Sequence, residues 1–319
     1  MGQRPIRLCP IVMNPSFAQP QLEFVTCPHP EGQHRMAYWR WGDPQAQHVV
    51  VCVHGLTRQG RDFDRLAQAL VARSTQPLQV ICPDVAGRGR SEWLSDPVAY
   101  QIPQYAADML ALLAQLRAPC QADWTSLDWV GTSMGGLIGM VLAGQPGLPL
   151  PAPIRRLVLN DVGPAIAWAA VERMQTYVGQ YGQYRNLDEA AAAMWALSDG
   201  FGPVPADVWR DMSSHMLRPA ADGAVTLHYD PAIGVPVRAL TPDAAAAGEA
   251  TLWSLYDQIQ AKTLLIRGAD SDLLAPETAL AMTERGPRAR LDTWPGFGHA
   301  PTLTGDAQID VVADFLLSA

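Results

Sequence analysis

Residues 127–144 read LDWVGTSMGGLIGMVLAG, an apolar run, a serine framed by glycines, and a second apolar run end to end. The first part has the length and composition of a buried strand, and the last part that of a buried helix. Between them, Gly131-Thr132-Ser133-Met134-Gly135 fits the pattern Gly-x-Ser-x-Gly. Small neighbours let the backbone turn sharply enough for the Ser133 hydroxyl to stand clear of the sheet, with the first amides of a helix beside it. That geometry exposes a nucleophile. A glycine-rich helix entry with a capping serine has the same local look, so the remainder of the chain decides between the two.

On both sides of this stretch, strand-like and helix-like segments alternate. EFVT and RMAYWRWG (35–42) form a hairpin pattern. HVVVCVHG (48–55) and LQVICPDV (78–85) are near-continuous apolar runs, as strands buried on both faces should be. DFDRLAQALVAR (62–73) and YAADMLALLAQLR (105–117) have helical spacing. IRRLVLNDVG (154–163), AKTLLIRGAD (261–270) and ARLDTW (289–294) supply further strands, and PETALAMTER (276–285) and AQIDVVADFLLS (307–318) further helices. This alternation predicts an α/β fold with a mostly parallel sheet covered by helices on both faces.

The rhythm stops at residues 164–250. Helical stretches such as AIAWAAVERMQTYVGQY and LDEAAAAMWALSDGF follow one another with no convincing buried strand, and Met, Trp and Tyr are frequent. The reading is an irregular N-terminal segment over 1–20, a core over 21–163 and 251–319, and a helical insertion over 164–250 that suits an apolar lid. DAAAAGEA (243–250) is expected to form a flexible exit from it.

Composition narrows the function classes. With 48% hydrophobic and 17% charged residues over 319 positions, the chain is globular and long enough for a large core. A net charge of −8 and the lack of a basic cluster argue against nucleic-acid binding. The odd set Cys9, Cys27, Cys52, Cys82 and Cys120 contains no CxxC pair, so buried free thiols in a reducing compartment are expected, with Cys52 and Cys82 inside strands. Pro5, Pro10 and Pro15 interrupt every apolar run near the N-terminus, which makes it a poor secretory signal. No apolar run has the length of a membrane span, so the expected location is the cytoplasm. No nucleotide-binding glycine loop and no metal-ligand spacing are evident, and no cofactor or metal is expected.

In open parallel sheets, ligands bind beyond the carboxyl ends of the strands. Four strand ends carry reactive residues: HGLTRQGRDFD brings His54, GTSMGG brings Ser133, RGADSDLL brings Asp270 and Asp272, and GFGHAP brings His299. Their order along the chain, Ser, Asp, His, is that of a nucleophile, its acid and its base in this architecture.

Over essentially residues 22–318 the chain resembles the α/β-hydrolase superfamily, in the branch that carries a cap after the sixth strand. HGLTRQGRDFD, PDVAGRGRSEW, VGTSMGG, LNDVGP, RGADSDLL and GFGHAPTL fall where that branch keeps its motifs. The resemblance implies a serine hydrolase acting through an acyl-enzyme on a small or oligomeric carboxylic ester, hydroxyalkanoate oligomers included. Enol-lactonases and carbon–carbon hydrolases of diketo acids share the layout, and a hydrolase-like ligand receptor is the non-enzymatic alternative. Haloalkane dehalogenases and epoxide hydrolases would place Asp where Ser133 stands. The implied roles are Ser133 as nucleophile and His299 as general base. Counting back from Pro276 selects Asp272 as the acid, and counting forward from Gly268 leaves Asp270 open. Asp161 in LNDVGP is a third candidate, for which a hydrogen-bonding anchor or helix cap at the start of the insertion is the preferred reading. The implied oxyanion hole is the backbone N–H of Leu56 and of Met134, with His54 buttressing the loop. Arg58, Trp168, Tyr177 and Trp195 are the candidate substrate contacts.

Overall fold

The computed structural model describes residues 19–118, 123–180 and 182–318. Cys9, Cys120 and nearly all of the segment 1–20 lie outside the described residues. The hairpin of β1 (Gln21–His29) and β2 (Gly32–Gly42) opens the fold. There follow β3 (His48–Val53), α1 (Asp64–Arg73), β4 (Leu78–Pro83), α2 (Ile102–Arg117), β5 (Ser126–Thr132), α3 (Met134–Gly144) and β6 (Ile154–Asn160). After an insertion, α8 (Pro242–Tyr256) leads into β10 (Lys262–Gly268), α9 (Pro276–Glu284), β11 (Arg290–Trp294) and α10 (Asp306–Leu317). The eight strands form one sheet in the order β1-β2-β4-β3-β5-β6-β10-β11, antiparallel at the β1/β2 and β2/β4 pairs and parallel from β4 to β11.

Apolar burial on both faces explains why the central strands read as continuous hydrophobic runs. Along β3, Val49, Val51 and Val53 face the layer of α2, α3, α8 and α9, while Val50 and Cys52 face that of α1 and α10. Cys27, Cys52 and Cys82 are free and buried, as expected of thiols used for packing. No helix among the described residues is long and apolar enough to cross a membrane.

The insertion contains α4 (Trp168–Tyr177), α5 (Leu187–Trp195), α6 (Ala206–Ser214) and α7 (Gly234–Ala239). It also contains three short strands that the sequence pattern did not reveal: β7 (Gln183–Tyr184), β8 (Leu217–Pro219) and β9 (Val225–Leu227), paired antiparallel in the order β7-β9-β8. DAAAAGEA is not a flexible exit. It is the interior of α8, capped by the Thr241 hydroxyl accepting the Ala244 N–H, and the expected boundary at 250 falls within this continuous helix. The end of α8 packs on α3, so closely that a Cβ on Gly144 would stand 2.2 Å from the Leu255 carbonyl oxygen.

Two glycines with opposite surroundings test this packing. A Cβ on Gly135 would lie 2.0 Å from the Val53 carbonyl oxygen, whereas one on Gly248, in mid-helix, would meet nothing within 4 Å. Gly135→Ala should destabilise the protein by about 1–3 kcal/mol or more, and Gly248→Ala should stabilise it by about 1 kcal/mol. Denaturant melts of the two variants check both signs.

Candidate active site

Ser133 stands between β5 and α3 at φ 50°, ψ −117°, in a region that side chains rarely enter. Its N–H donates to the Asn160 carbonyl (3.0 Å), and its own carbonyl accepts from Gly136 (2.8 Å). His299, on the loop after β11, brings Nε2 to 2.9 Å from the Ser133 Oγ. Its Nδ1 lies 2.8 Å from the Asp161 Oδ2. With Nδ1–H donating to that carboxylate, the Nε2 lone pair faces the serine.

The carboxylate beside His299 is therefore that of Asp161, and not that of Asp272 or Asp270. Asp161 follows β6, which lies next to β5 in the sheet, and φ 55° turns it inward. Fully buried, its Oδ1 accepts the Gly268 N–H (2.9 Å) and its Oδ2 accepts the Ser271 hydroxyl (2.5 Å) as well as the imidazole. The end of β10 and the loop after it thus supply donors to Asp161. Asp272 points outward and accepts from Arg173 at 2.7 and 2.9 Å, at the surface. Asp270 is exposed, and its backbone N–H donates to the Phe297 carbonyl.

His54 is buried with both ring nitrogens occupied: Nδ1–H donates to the Gly55 carbonyl (2.7 Å) and Nε2 accepts the Val85 N–H (3.0 Å). Burial holds it neutral, its pKa lowered to about 3. Because the Gly55 carbonyl and the Leu56 N–H belong to one trans peptide, holding the carbonyl aims that N–H in the opposite direction. A Cβ on Gly55 would lie 3.7 Å from that of Ser133, so this peptide runs beside the serine. Met134 begins α3, where the first N–H groups have no intrahelical acceptor.

A cavity of about 180 Å³ opens over Ser133 and His299. Its walls include Leu56, Arg58 and Thr302 from the core, and Met174, Tyr177, Met194, Phe201, Met212 and Met216 from the insertion. Arg58 is held by both oxygens of Asp62 (2.6 and 2.7 Å), with the rings of Phe201 and Trp209 within 5.7 Å. Arg58 and Tyr177 thus reach the cavity; Trp168 and Trp195 do not. One residue along α5, Met194 turns into the cavity while Trp195 faces away, edge-on to Trp209 at 5.1 Å. Trp168 stands at the first position of α4, outside the lining.

Three residues in the site escaped the sequence reading. Asn160 donates through Nδ2 to the Thr132 hydroxyl and to the Pro301 carbonyl, joining the serine turn to the histidine loop. Ser271 anchors Asp161. Arg88 lies buried behind Leu56 and Met134. All three stand within quoted motifs, LNDVGP, RGADSDLL and PDVAGRGRSEW, but as the less conspicuous neighbours of an Asp or a Gly.

Residues 50–315 match the sequence profile of the alpha/beta hydrolase family. The chain belongs to that family. It is 47% identical over 305 residues to a 3-hydroxybutyrate-oligomer hydrolase of Cupriavidus necator, a match that takes in 95% of this chain and 99% of the relative. Among solved structures, an alpha/beta hydrolase from Novosphingobium aromaticivorans is 32% identical with a TM-score of 0.76, over 93% of this chain and 98% of that one. A putative hydrolase from Rickettsia typhi is 26% identical with a TM-score of 0.78, over 94% and 99% of the two chains.

His228, from the insertion, accepts the Gly89 N–H through Nδ1 (2.7 Å), and burial, followed by the nearby Arg58 charge, lowers its pKa to about 3. A histidine depressed in the folded state contributes stability that is fully present above its unfolded value near 6.5 and is lost as pH falls towards about 3. Asn offers an acceptor in place of Nδ1 without a titrating ring. Between pH 7.5 and 4.5 the wild type should lose more stability than His228→Asn, by up to about 1.4 kcal/mol per pH unit below 6.5. Melts of both proteins across that range read the difference in slope, and parallel curves would contradict it.

Proposed function

We propose that the chain is a serine hydrolase that cleaves hydroxyalkanoate oligomers at their ester bonds, with Ser133, His299 and Asp161 as nucleophile, base and acid. The observation that carries this reading is the hydrogen-bonded line Ser133–His299–Asp161, at 2.9 and 2.8 Å, under the cavity. The 3-hydroxybutyrate-oligomer hydrolase, 47% identical over 95% of this chain, supports the substrate class.

A serine hydroxyl is too weakly nucleophilic to attack an ester unaided. His299 Nε2 takes the Oγ proton as Ser133 adds to the carbonyl carbon, and Asp161 stabilises the imidazolium and fixes its tautomer. The Leu56 and Met134 N–H groups receive the oxyanion. Collapse breaks the carbon–oxygen bond to the leaving hydroxyacid, which leaves as an alcohol with the proton from Nε2. Water, deprotonated by the same nitrogen, then releases the acyl group from Ser133. The insertion acts as a cap, its methionines adapting to methyl-branched, flexible units while Arg58 and Thr302 meet ester oxygens.

Two sets of measurements test the reading. With 3-hydroxybutyrate dimer and trimer as substrates, monomer release followed by chromatography should be fast in the wild type. In Ser133→Ala it should fall to the residue left by binding and the oxyanion hole, about 10³–10⁴ over water. Asp161→Asn should lower kcat by about 10⁴, since it favours the wrong histidine tautomer, while Asp272→Asn should leave it nearly unchanged. A crippled Asp272→Asn with an active Asp161→Asn would reverse the assignment of the acid. Turnover of aryl esters with none of the oligomers would remove the substrate class and leave the chemistry standing.

A further inference from the structure

Arg88 is fully buried, and among the described residues no carboxylate forms an ion pair with it. Its Nε donates to the Leu56 carbonyl (2.9 Å), and its Nη1 donates to the Ala86 carbonyl (2.6 Å) and the Tyr105 hydroxyl (2.9 Å). Its Nη2 points at the Met134 Sδ (3.7 Å), and the rings of Tyr105 and Tyr100 lie 5.0 and 5.6 Å from the guanidinium carbon. Asp230 is one ring away, accepting the Tyr100 hydroxyl at 2.6 Å. Every direct partner of this cation is neutral. The other arginines of the site, Arg58 and Arg173, are each paired with an aspartate.

A buried charge without a counter-ion is expensive to keep, and arginine stays protonated throughout the working range of pH. Two of its four polar contacts are the residues assigned to the oxyanion hole. We propose that Arg88 is a positioning residue of that hole. It ties Leu56 and Met134 together from behind and biases the site towards the negative charge of the tetrahedral intermediate. His54 fixes the peptide that carries the Leu56 N–H, and Arg88 fixes the next one, so the donor is clamped on both sides. In a water-poor site, a fixed positive charge strengthens binding of an oxyanion more than binding of a neutral ester, which raises kcat more than it lowers KM.

The proposal rests on the ester-hydrolase reading. The test compares KM for an aryl ester with inhibition by a phenylboronic acid, whose tetrahedral adduct with Ser133 carries negative charge where the oxyanion forms. Active sites are counted with a phosphonate titrant, so misfolded protein drops out. Arg88→Met should weaken boronate binding and lower kcat about ten- to hundredfold each, with KM nearly unchanged, and Arg88→Lys should recover part of both. Arg90→Met, which removes an exposed neighbouring charge, should alter neither. An unchanged ratio of boronate inhibition constant to KM in Arg88→Met overturns the proposal, as does an Arg88→Lys no better than Arg88→Met. If Arg88→Met gives no folded protein, Arg88→Lys decides alone: the ratio must rise, and a ratio equal to the wild type's overturns it. A wild type inactive on every ester would instead remove the hydrolase reading itself.

Discussion

Ser133 holds its left-handed backbone because the residues around it leave the chain no other way to pass. A Cβ on Gly131 would stand 2.3 Å from the Gly135 carbonyl oxygen, and one on Gly135 would stand 2.0 Å from that of Val53. The start of α3 is therefore pressed against both β5 and β3. Tight packing of this kind over-determines a conformation that would otherwise relax. The Ser133 N–H on the Asn160 carbonyl ties the same turn to β6. Three adjacent strands thus converge on one residue, and the loops leaving those strands inherit their positions from it: Gly55 beside the serine, Asp161 one strand over, and His299 reaching across.

The polar groups around this turn divide by what each has to balance. Arg58 and Arg173, which line the cavity, are each paired with an aspartate, Asp62 and Asp272. Asp161, fully buried, is held by a backbone N–H, a hydroxyl and the imidazole, which is how an interior carboxylate is kept without an arginine. Arg88 is a buried cation served by carbonyls, a hydroxyl and a thioether, and Arg267, also buried, donates to the carbonyls of Leu274 and Ala269. Arg88 lies behind Leu56 and Met134, through its contacts to the Leu56 carbonyl and the Met134 sulfur.

The core was legible because its central strands are buried on both faces and its helices on one, which imprints continuous runs and 3.6-residue spacing on the sequence. The strands of the insertion were not. β7 has two residues, and β8 and β9 have three each, too few for any period to register. The alanine run of α8 looked like a linker because its first turns have little to bury, yet its cap and its docking on α3 make it a helix. In the site, the residues that carry motifs of their own, Ser133 and His299, could be placed in advance. The carboxylate partner of His299 could not, since RGADSDLL and LNDVGP both put an aspartate at the end of a neighbouring strand and spacing does not record which way a side chain turns. Asp272 is turned away from His299 by contacts remote in sequence: Arg173 lies 99 residues away, and Ser271 reaches back 110 residues to Asp161.

That the carboxylate bonded to His299 follows β6 also sets how the insertion relates to the site. The chain enters the insertion directly from Asp161, and the Ala167 N–H donates to the Leu273 carbonyl, so its first turn is fastened to the loop whose Ser271 hydroxyl donates to Asp161. At its far side, the Gly298 N–H donates to the Gly200 carbonyl, next to His299. The His228 ring accepts from Gly89, beside Arg88, and the Asp230 N–H donates to Gly87. The insertion is thus bound to the core beside Asp161, beside His299 and behind Leu56, and each bond is made to the backbone of a loop. A roof fixed at those points cannot swing as a whole without disturbing the groups it covers.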